Sequence, residues 1–317
     1  MATGRAGCGS GQRRVAILPA IASPSLVPDL MAGLRLHAPS SRIRPMPRQA
    51  PAPTILVFDS GLGGLSVYRE VASARPDARF VYAADDAMFP YGRIEESRLA
   101  ERILSLMGDL IAAHRPDLVV IACATASTIA LPALRARFAV PFVGTVPAIK
   151  PACAGSATRR VSVLGTEGTV QREYTRALIR EYAGGCEVTL VGSPRLAALA
   201  EAKLDGGEVE DAAIAAEIAP CFVGEGDART DTIVLACTHY PLLRDDIERL
   251  SPWPVALIDP APAIARRVVE LIGPRQSAVA PAPALAVFTS GRAPSRFVVA
   301  ALARGQCPAA AADQTAQ

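Results

Sequence analysis

The sequence predicts an α/β protein made of two pseudo-symmetric lobes, each built on a parallel sheet, with the active site in the cleft between them. From Thr54 onward, short apolar runs alternate with helical patterns, as in parallel sheets covered by helices. In addition, the runs Asp117–Cys123 and Asp231–Cys237 repeat one pattern: an Asp, four largely β-branched apolar residues, then Ala-Cys. Because ligands bind at the carboxyl ends of strands in open α/β sheets, each half is expected to deliver one thiol to the cleft.

Eight strands are predicted from short apolar runs bounded by polar or turn residues: Thr54–Phe58, Arg79–Ala83, Leu118–Ala122, Pro141–Gly144, Val161–Leu164, Glu187–Val191, Thr232–Ala236 and Val255–Ile258. Five helices are predicted from apolar residues at helical spacing: Glu95–His114, Val170–Tyr182, Arg195–Leu204, Val209–Phe222 and Pro262–Ile272. The charge-free run Leu118–Leu134 contains polar residues and a proline, so it predicts a strand, a turn and a helix rather than a membrane span.

A second repeat supports two related halves. Strand Thr54–Phe58 runs into Asp59-Ser-Gly-Leu-Gly-Gly64, and strand Val161–Leu164 runs into Gly165-Thr-Glu-Gly-Thr169. Each half therefore has one strand ending in a Gly/Ser/Thr turn and a later strand ending in Ala-Cys. This repetition predicts a pseudo-twofold arrangement in which the strand ends of the two lobes face each other.

Composition excludes several classes of protein. The chain has 317 residues, 50% of them hydrophobic, so it is long enough for two domains and is not a disordered protein. A net charge of +3, one Trp and no Arg cluster interleaved with aromatics argue against nucleic-acid binding. Seven cysteines without a C-x-x-C pair, and only three histidines, argue against a disulfide framework or a metal site and for a reducing cytoplasm.

The two ends of the chain differ from the rest. Residues 1–52 hold seven Arg, no Lys and one acidic residue, among many Pro, Ser and Gly. We expect a non-structural or disordered extension, with Met46 as a candidate start of translation. The Ala-rich tail 304–317 is also expected to be disordered.

Cys123 and Cys237 are the candidate functional residues. Free cysteine is usually a small buried hydrophobe, and either thiol alone would be interpreted in that way. Their identical placement after equivalent strands favours a functional pair. His239 follows Cys237 by two residues, and a neighbouring imidazole stabilises a thiolate.

The turn Asp59–Gly64 opens a helix, where backbone amides approach an anion. It lacks the spacing of a dinucleotide fingerprint and the Lys of a phosphate-binding loop, so a small carboxylate or amino acid is the predicted ligand. Asp59 by itself is equally well a turn or cap residue. Pro90-Tyr91-Gly92 is either an ordinary turn or part of a pocket wall.

Several motifs together resemble glutamate racemase, of the aspartate/glutamate racemase superfamily and its proteobacterial branch. The resemblance extends from Thr54 to Ile272. It is carried by Asp59-Ser-Gly-Leu-Gly-Gly-Leu-Ser-Val67, Phe89-Pro-Tyr-Gly92, Cys123-x-Thr-Ala-Ser127, Val146-Pro-Ala-Ile-Lys-Pro-Ala152, Leu199-Ala-Glu-Ala-Lys-Leu204 and Cys237-Thr-His-Tyr-Pro-Leu-Leu243.

This resemblance implies a cytoplasmic enzyme that needs no cofactor and interconverts L- and D-glutamate for peptidoglycan synthesis. It implies that Cys123 and Cys237 are the acid/base residues, with Asp59 assisting Cys123, and His239 with Glu201 assisting Cys237. The positions that match substrate-binding residues are Asp59, Ser60, Pro90, Tyr91, Gly92, Ala124, Thr125, Thr166 and Thr238. Relatives often depend on a UDP-linked peptidoglycan-precursor activator near the hinge and commonly form homodimers.

By the same resemblance, lobe one comprises residues 53–146 plus 254–300, and lobe two comprises 147–253. The hinge is then expected near Pro147 and Trp253, and its closure would shield the reaction from water.

One position departs from the family pattern, and it keeps alternatives open. Ala124 stands where the family has an Asn that hydrogen-bonds the substrate. A related racemase acting on aspartate or a hydantoin is one alternative, and an amino-acid-binding protein with impaired catalysis is another. A thiol-redox protein would need the two cysteines to pair, which facing lobes with a ligand between them disfavour.

Overall fold

The computed structural model describes residues 52–275 and 283–304. Apart from residues 52 and 304, the predicted extension 1–52 and tail 304–317 lie outside this part of the chain. The described strands are β1 Thr54–Asp59, β2 Arg79–Ala84, β3 Leu118–Ile121, β4 Phe142–Gly144, β5 Arg160–Thr166, β6 Glu187–Ser193, β7 Gly224–Glu225, β8 Ala228–Arg229, β9 Thr232–Leu235, β10 Ala256–Ile258 and β11 Leu285–Phe288. The described helices are α1 Leu65–Ala74, α2 Glu96–His114, α3 Ala124–Arg137, α4 Ile149–Gly155, α5 Glu167–Gln171, α6 Glu173–Tyr182, α7 Leu196–Leu204, α8 Asp211–Ile218, α9 Arg244–Leu250, α10 Ala261–Ile272 and α11 Arg296–Arg304.

Two parallel sheets form the centre of the molecule, which confirms the predicted fold class. The first has the order β11-β2-β1-β3-β4 and the second has the order β10-β9-β5-β6. Helices cover both faces of the first sheet, because strands buried on both sides need apolar partners on both sides. Within the described residues no helix is long and apolar enough to cross a bilayer.

The internal repeat of the sequence corresponds to direct strand pairing in each sheet. Strand β1, which runs into the Asp59–Gly64 turn, pairs in parallel with β3, which leads to Cys123. Strand β5, which runs into the Gly165–Thr169 turn, pairs in the same way with β9, which leads to Cys237. In each sheet the polar turn and the cysteine therefore emerge side by side at one edge.

The boundary between the lobes differs from the prediction at the return crossing. Strand β10 pairs with β9 in the second sheet, so the predicted return at residue 254 is too early. The apolar side chain of Leu257 packs in the core of the second sheet, which keeps this strand there. The chain returns afterwards, when α10 packs against α1 and β11 pairs with β2.

Two predicted helices are interrupted. The predicted helix Val170–Tyr182 is divided into α5 and α6, since Arg172 between them has extended backbone angles. The predicted helix Val209–Phe222 starts at Asp211 and ends in a 3-10 turn at Ala219–Cys221, where Pro220 limits the helix.

Candidate active site

The first cysteine lies at the start of a helix. Cys123 follows β3 and is the N-cap residue of α3, where its Sγ accepts a hydrogen bond from the Ala126 amide at 3.5 Å. The thiol donates to Oγ of Ser60 at 3.6 Å. Burial, with a further contribution from the charge of Asp59, raises the pKa of Cys123 to about 12. At neutral pH this residue is therefore a thiol.

The second cysteine is linked to a buried imidazole. Sγ of Cys237 lies 3.7 Å from Nδ1 of His239, and Nε2 of the same ring lies 2.9 Å from Oε1 of Glu201. Burial acts to lower the pKa of His239, but the hydrogen bonds and charges of Cys237 and Glu201 outweigh it and hold the pKa well above 6.5. The pKa of Glu201 is lowered, because His239 outweighs the opposing effect of burial. The ring is therefore an imidazolium that bridges the carboxylate and the sulfur.

Asp59 ends β1 and is fully buried. Its carboxylate accepts hydrogen bonds from the Gly61 amide and from Oγ1 of Thr238, each at 3.0 Å. Burial raises the pKa of Asp59 to about 6, against the opposing charge of His239. A carboxyl group with such a pKa changes its protonation state close to neutral pH.

The amides of the glycine turn are engaged within the protein. The Gly61 amide donates to Asp59, the Leu62 amide donates to Oε1 of Glu201 at 2.6 Å, and the Gly63 amide nitrogen lies 3.2 Å from Nε2 of His239. The Gly61 and Leu62 amides are thus already paired, and the carboxylate ligand predicted for this turn stays a prediction. The turn packs against the side chains that support the two cysteines.

Both thiols line a single small cavity between the two sheets. The cavity volume is about 20 Å³, on the scale of one water molecule, so the lining has to move apart to admit an amino acid, and a nucleotide is far too large for it. Most of the predicted site residues line it, namely Ser60, Pro90, Tyr91, Gly92, Cys123, Ala124, Thr125, Thr166, Cys237, Thr238 and His239. The predicted residues Asp59 and Glu201 lie outside this lining, behind Thr238 and His239.

Four further lining residues were not predicted as site residues: Phe89, Thr169, Ala197 and Ala236. The hydroxyl of Thr169 lies 2.9 Å from that of Thr166 and 3.5 Å from that of Thr125. The sequence signal that could have identified Thr169 as a site residue was its position in the Gly165–Thr169 turn, which is the counterpart of the Asp59–Gly64 turn. The ring of Phe89 lies 5.2 Å from that of His239, and this contact has no local signature in the sequence.

The polar groups of the cavity are mostly hydroxyls and thiols. No Lys or Arg belongs to the described residues that line it. The hydroxyl of Tyr91 points to Asp85 at 2.6 Å, so this side chain offers the cavity its ring. Within the described residues, no cluster of His, Cys, Asp and Glu is arranged to hold a metal ion. A site of this kind can transfer protons between its two thiols and a small polar molecule bound between them.

Comparison with known proteins agrees with this chemistry. The model of the Asp/Glu/Hydantoin racemase family matches residues 55–268. A glutamate racemase of Brucella anthropi is 54% identical over 242 residues, which cover 76% of this chain and 87% of that protein.

Solved structures agree as well. The crystal structure of Escherichia coli glutamate racemase, in complex with L-glutamate and the activator UDP-MurNAc-Ala, is 41% identical with a TM-score of 0.71, covering 76% of this chain and 91% of that one. The glutamate racemase of Aquifex pyrophilus is 29% identical with a TM-score of 0.60, covering 80% and 96%. The chain therefore belongs to the Asp/Glu/Hydantoin racemase family and is an amino-acid racemase of its cofactor-independent kind.

Proposed function

We propose that the chain interconverts L- and D-glutamate by proton transfer between Cα of the substrate and the thiols of Cys123 and Cys237. The observation that carries the proposal is that two free cysteines, one from each sheet, line the same small cavity. Removal of the Cα proton leaves a planar carbanion, so inversion needs a base on one face and an acid on the other. Relatives named glutamate racemase support glutamate as the substrate.

The protonation of Cys123 supports one direction of proton transfer as the starting point of the reaction. Burial keeps Cys123 protonated, so Cys123 is proposed as the acid and Cys237, whose sulfur lies 3.7 Å from Nδ1 of His239, as the thiolate base. Cys237 then takes the Cα proton while Cys123 donates a proton to the opposite face. The products are a thiol at Cys237 and a thiolate at Cys123, which is the starting state for the other enantiomer. Asp59, with a pKa of about 6 and a charge that acts on Cys123, assists the return of a proton to this sulfur.

Substrate binding is proposed to rest on hydroxyls and backbone amides, because the described lining residues include no Lys or Arg. The start of α3 places a helix N-terminus at the cavity, which favours a carboxylate. The proposed contacts are Ser60, Pro90, Tyr91, Gly92, Ala124, Thr125, Thr166 and Thr238.

The test is exchange of the Cα hydrogen in deuterium oxide, followed by NMR for L- and D-glutamate. Wild type is expected to exchange and invert both enantiomers, and Cys123→Ser and Cys237→Ser are each expected to lose inversion. Cys221→Ser is the matched control, because Cys221 is buried in the core of the second sheet and does not line the cavity. If glutamate showed no exchange but aspartate or a hydantoin in the same panel did, that compound would take the place of glutamate as the proposed substrate. Absence of exchange with all of them would leave a binding protein.

We further propose that the product supplies peptidoglycan synthesis and that a UDP-linked precursor activates the enzyme. The E. coli relative was solved with such an activator. In this chain, a large cavity lies beside the predicted hinge residue Pro147, and Lys150, Arg266 and Arg267 among its lining residues provide charges for a diphosphate. Racemisation with and without UDP-MurNAc-Ala tests the activation, and loss of the response in Arg266→Gln with unchanged basal rate tests the location.

A further inference from the structure

The cavity loop, residues 85–92, depends on a buried carboxylate. Asp85 is fully buried, and it accepts hydrogen bonds from the hydroxyl of Tyr91 at 2.6 Å and from Arg102 at 2.7 and 3.1 Å. Burial acts to raise the pKa of Asp85, but Arg102, Tyr91 and Thr289 outweigh it and lower the pKa. Asp85 is therefore charged, and its donors fix the position of Tyr91 in the cavity wall.

One of these donors comes from the distant C-terminal part of the chain. Oγ1 of Thr289, just after β11, donates to Asp85 at 2.7 Å and accepts a hydrogen bond from the Ala87 amide at 3.2 Å. The next residue, Ser290, donates to the carboxylate of Asp86 through its amide at 3.0 Å and through its hydroxyl at 2.5 Å. Two consecutive residues thus hold two consecutive carboxylates at the start of the cavity loop.

Arg292 extends these contacts to the other lobe. Its Nε lies 2.8 Å from Oδ2 of Asp86, and its Nη1 lies 3.4 Å from Oδ2 of Asp205. Asp205 is the C-cap residue of α7, the helix that carries Glu201. The charge of Arg292 contributes to lowering the pKa of Glu201, after the larger effects of burial, His239 and Leu62.

We propose that residues 289–292 form a strap that holds the cavity loop against α7, with Thr289 and Arg292 as positioning residues for the proposed racemisation. This inference rests on the proposed function for its kinetic consequence. The strap lies beyond residue 268, where the match to the family model ends. The loop it holds places Phe89 against His239 and Tyr91 in the cavity wall, so a displaced strap disturbs both sides of the site.

The two residues are expected to differ in their effect. Thr289 donates a hydrogen bond to the buried, charged carboxylate of Asp85. Loss of this donor would leave a buried charge less well satisfied, which is costly. Arg292 is 40% exposed, so its ion pairs are screened by water and contribute less. The proposal therefore predicts a larger defect in Thr289→Val than in Arg292→Gln.

Kinetics of the full chain test the strap. Thr289→Val is expected to lower kcat/KM about tenfold, and Arg292→Gln severalfold, whereas Thr289→Ser keeps the hydroxyl and should retain wild-type kinetics. Arg180→Gln is the control for losing an exposed ion pair, here with Glu173. Unchanged kcat/KM in folded Thr289→Val, or an equal loss in Thr289→Ser, would overturn the role.

A second measurement does not depend on turnover. Alkylation of Cys123 and Cys237 by iodoacetamide, followed by mass spectrometry, reports access past the cavity loop. Both rates are expected to rise severalfold in Thr289→Val and in Arg292→Gln and to stay at the wild-type value in Thr289→Ser. Equal rates in all variants would overturn the strap even if glutamate is racemised. Altered rates would support it even if wild type does not act on glutamate, which would remove only the proposed function.

Discussion

The imidazole of His239 lies between Glu201 and Cys237, with its Nε2 2.9 Å from the carboxylate and its Nδ1 3.7 Å from the sulfur. All three residues come from the part of the chain around the second sheet. The same oxygen of Glu201 accepts a hydrogen bond from the amide of Leu62, which belongs to the glycine turn after β1 of the first sheet. The supports of one thiol are thus shared between the lobes, and opening of the cleft would loosen them.

Removal of the Glu201 charge should change the pH dependence of activity. Glu201 helps to hold the pKa of His239 well above 6.5, so Glu201→Gln should lower that pKa. If deprotonation of His239 causes the loss of activity at high pH, this loss should occur at a lower pH in Glu201→Gln than in wild type. The measurement is the pH profile of kcat/KM together with the NMR titration of the His239 ring. Because Gln keeps an oxygen that accepts from the Leu62 amide, the variant removes the charge of Glu201 without removing this hydrogen bond.

Glu248→Gln serves as the control, because Glu248 forms an exposed pair with Arg244 within the same helix. It should leave the profile unchanged. An unshifted profile in Glu201→Gln would show that His239 does not set the activity limb at high pH.

An Asn at position 124 should strengthen substrate binding. Ala124 is the first residue of α3 and lines the cavity. An added hydrogen bond to a charged group contributes about 1.5–3 kcal/mol, so Ala124→Asn should lower KM for glutamate about tenfold to a hundredfold. Ala124→Leu, similar in size but apolar, should not. If Ala124→Asn left both KM and kcat unchanged, the missing side chain would have no role in binding.

The sequence predicted both sheets and the position of each thiol because these depend on local signals. Apolar runs ending in Ala-Cys specify a buried strand with a thiol at its carboxyl end, and β3 and β9 confirm this. The predicted return of the chain to lobe one at residue 254 was wrong, because β10 pairs with β9 in the second sheet. A strand of only three residues carries no sequence signal for the sheet that it joins. The bond from Thr289 to Asp85 joins residues 204 positions apart, and no local pattern reports such a pairing.

Asp59 should make stability depend on pH in a direction unusual for a carboxylate. Its folded pKa of about 6 exceeds the ordinary 3.8, so the folded state holds the proton more tightly between these values. Its contribution to stability is therefore present below pH 3.8 and lost as the pH rises through 6. The loss is on the order of 3 kcal/mol, and Asp59→Asn should not show it.

Urea unfolding at several pH values measures this difference between wild type and Asp59→Asn. The comparison cancels the opposite contributions of Asp85 and Glu201, whose pKa values are lowered. Asp227→Asn, at an exposed turn, is the control. A constant difference between wild type and Asp59→Asn across the pH range would contradict a raised pKa at Asp59.

A methyl group at Gly63 should damage the site directly. A Cβ there would lie 2.4 Å from Nδ1 of His239 and 2.6 Å from Oγ1 of Thr238, so the imidazole that contacts Cys237 would have to shift. Overpacking of this kind costs about 1–3 kcal/mol of stability. Gly63→Ala should therefore lower the melting temperature and abolish most Cα exchange. Gly155→Ala is the matched control, since a Cβ at Gly155 meets nothing within 4 Å. Full exchange activity in Gly63→Ala would mean that the position of His239 relative to Cys237 does not govern the proton transfer.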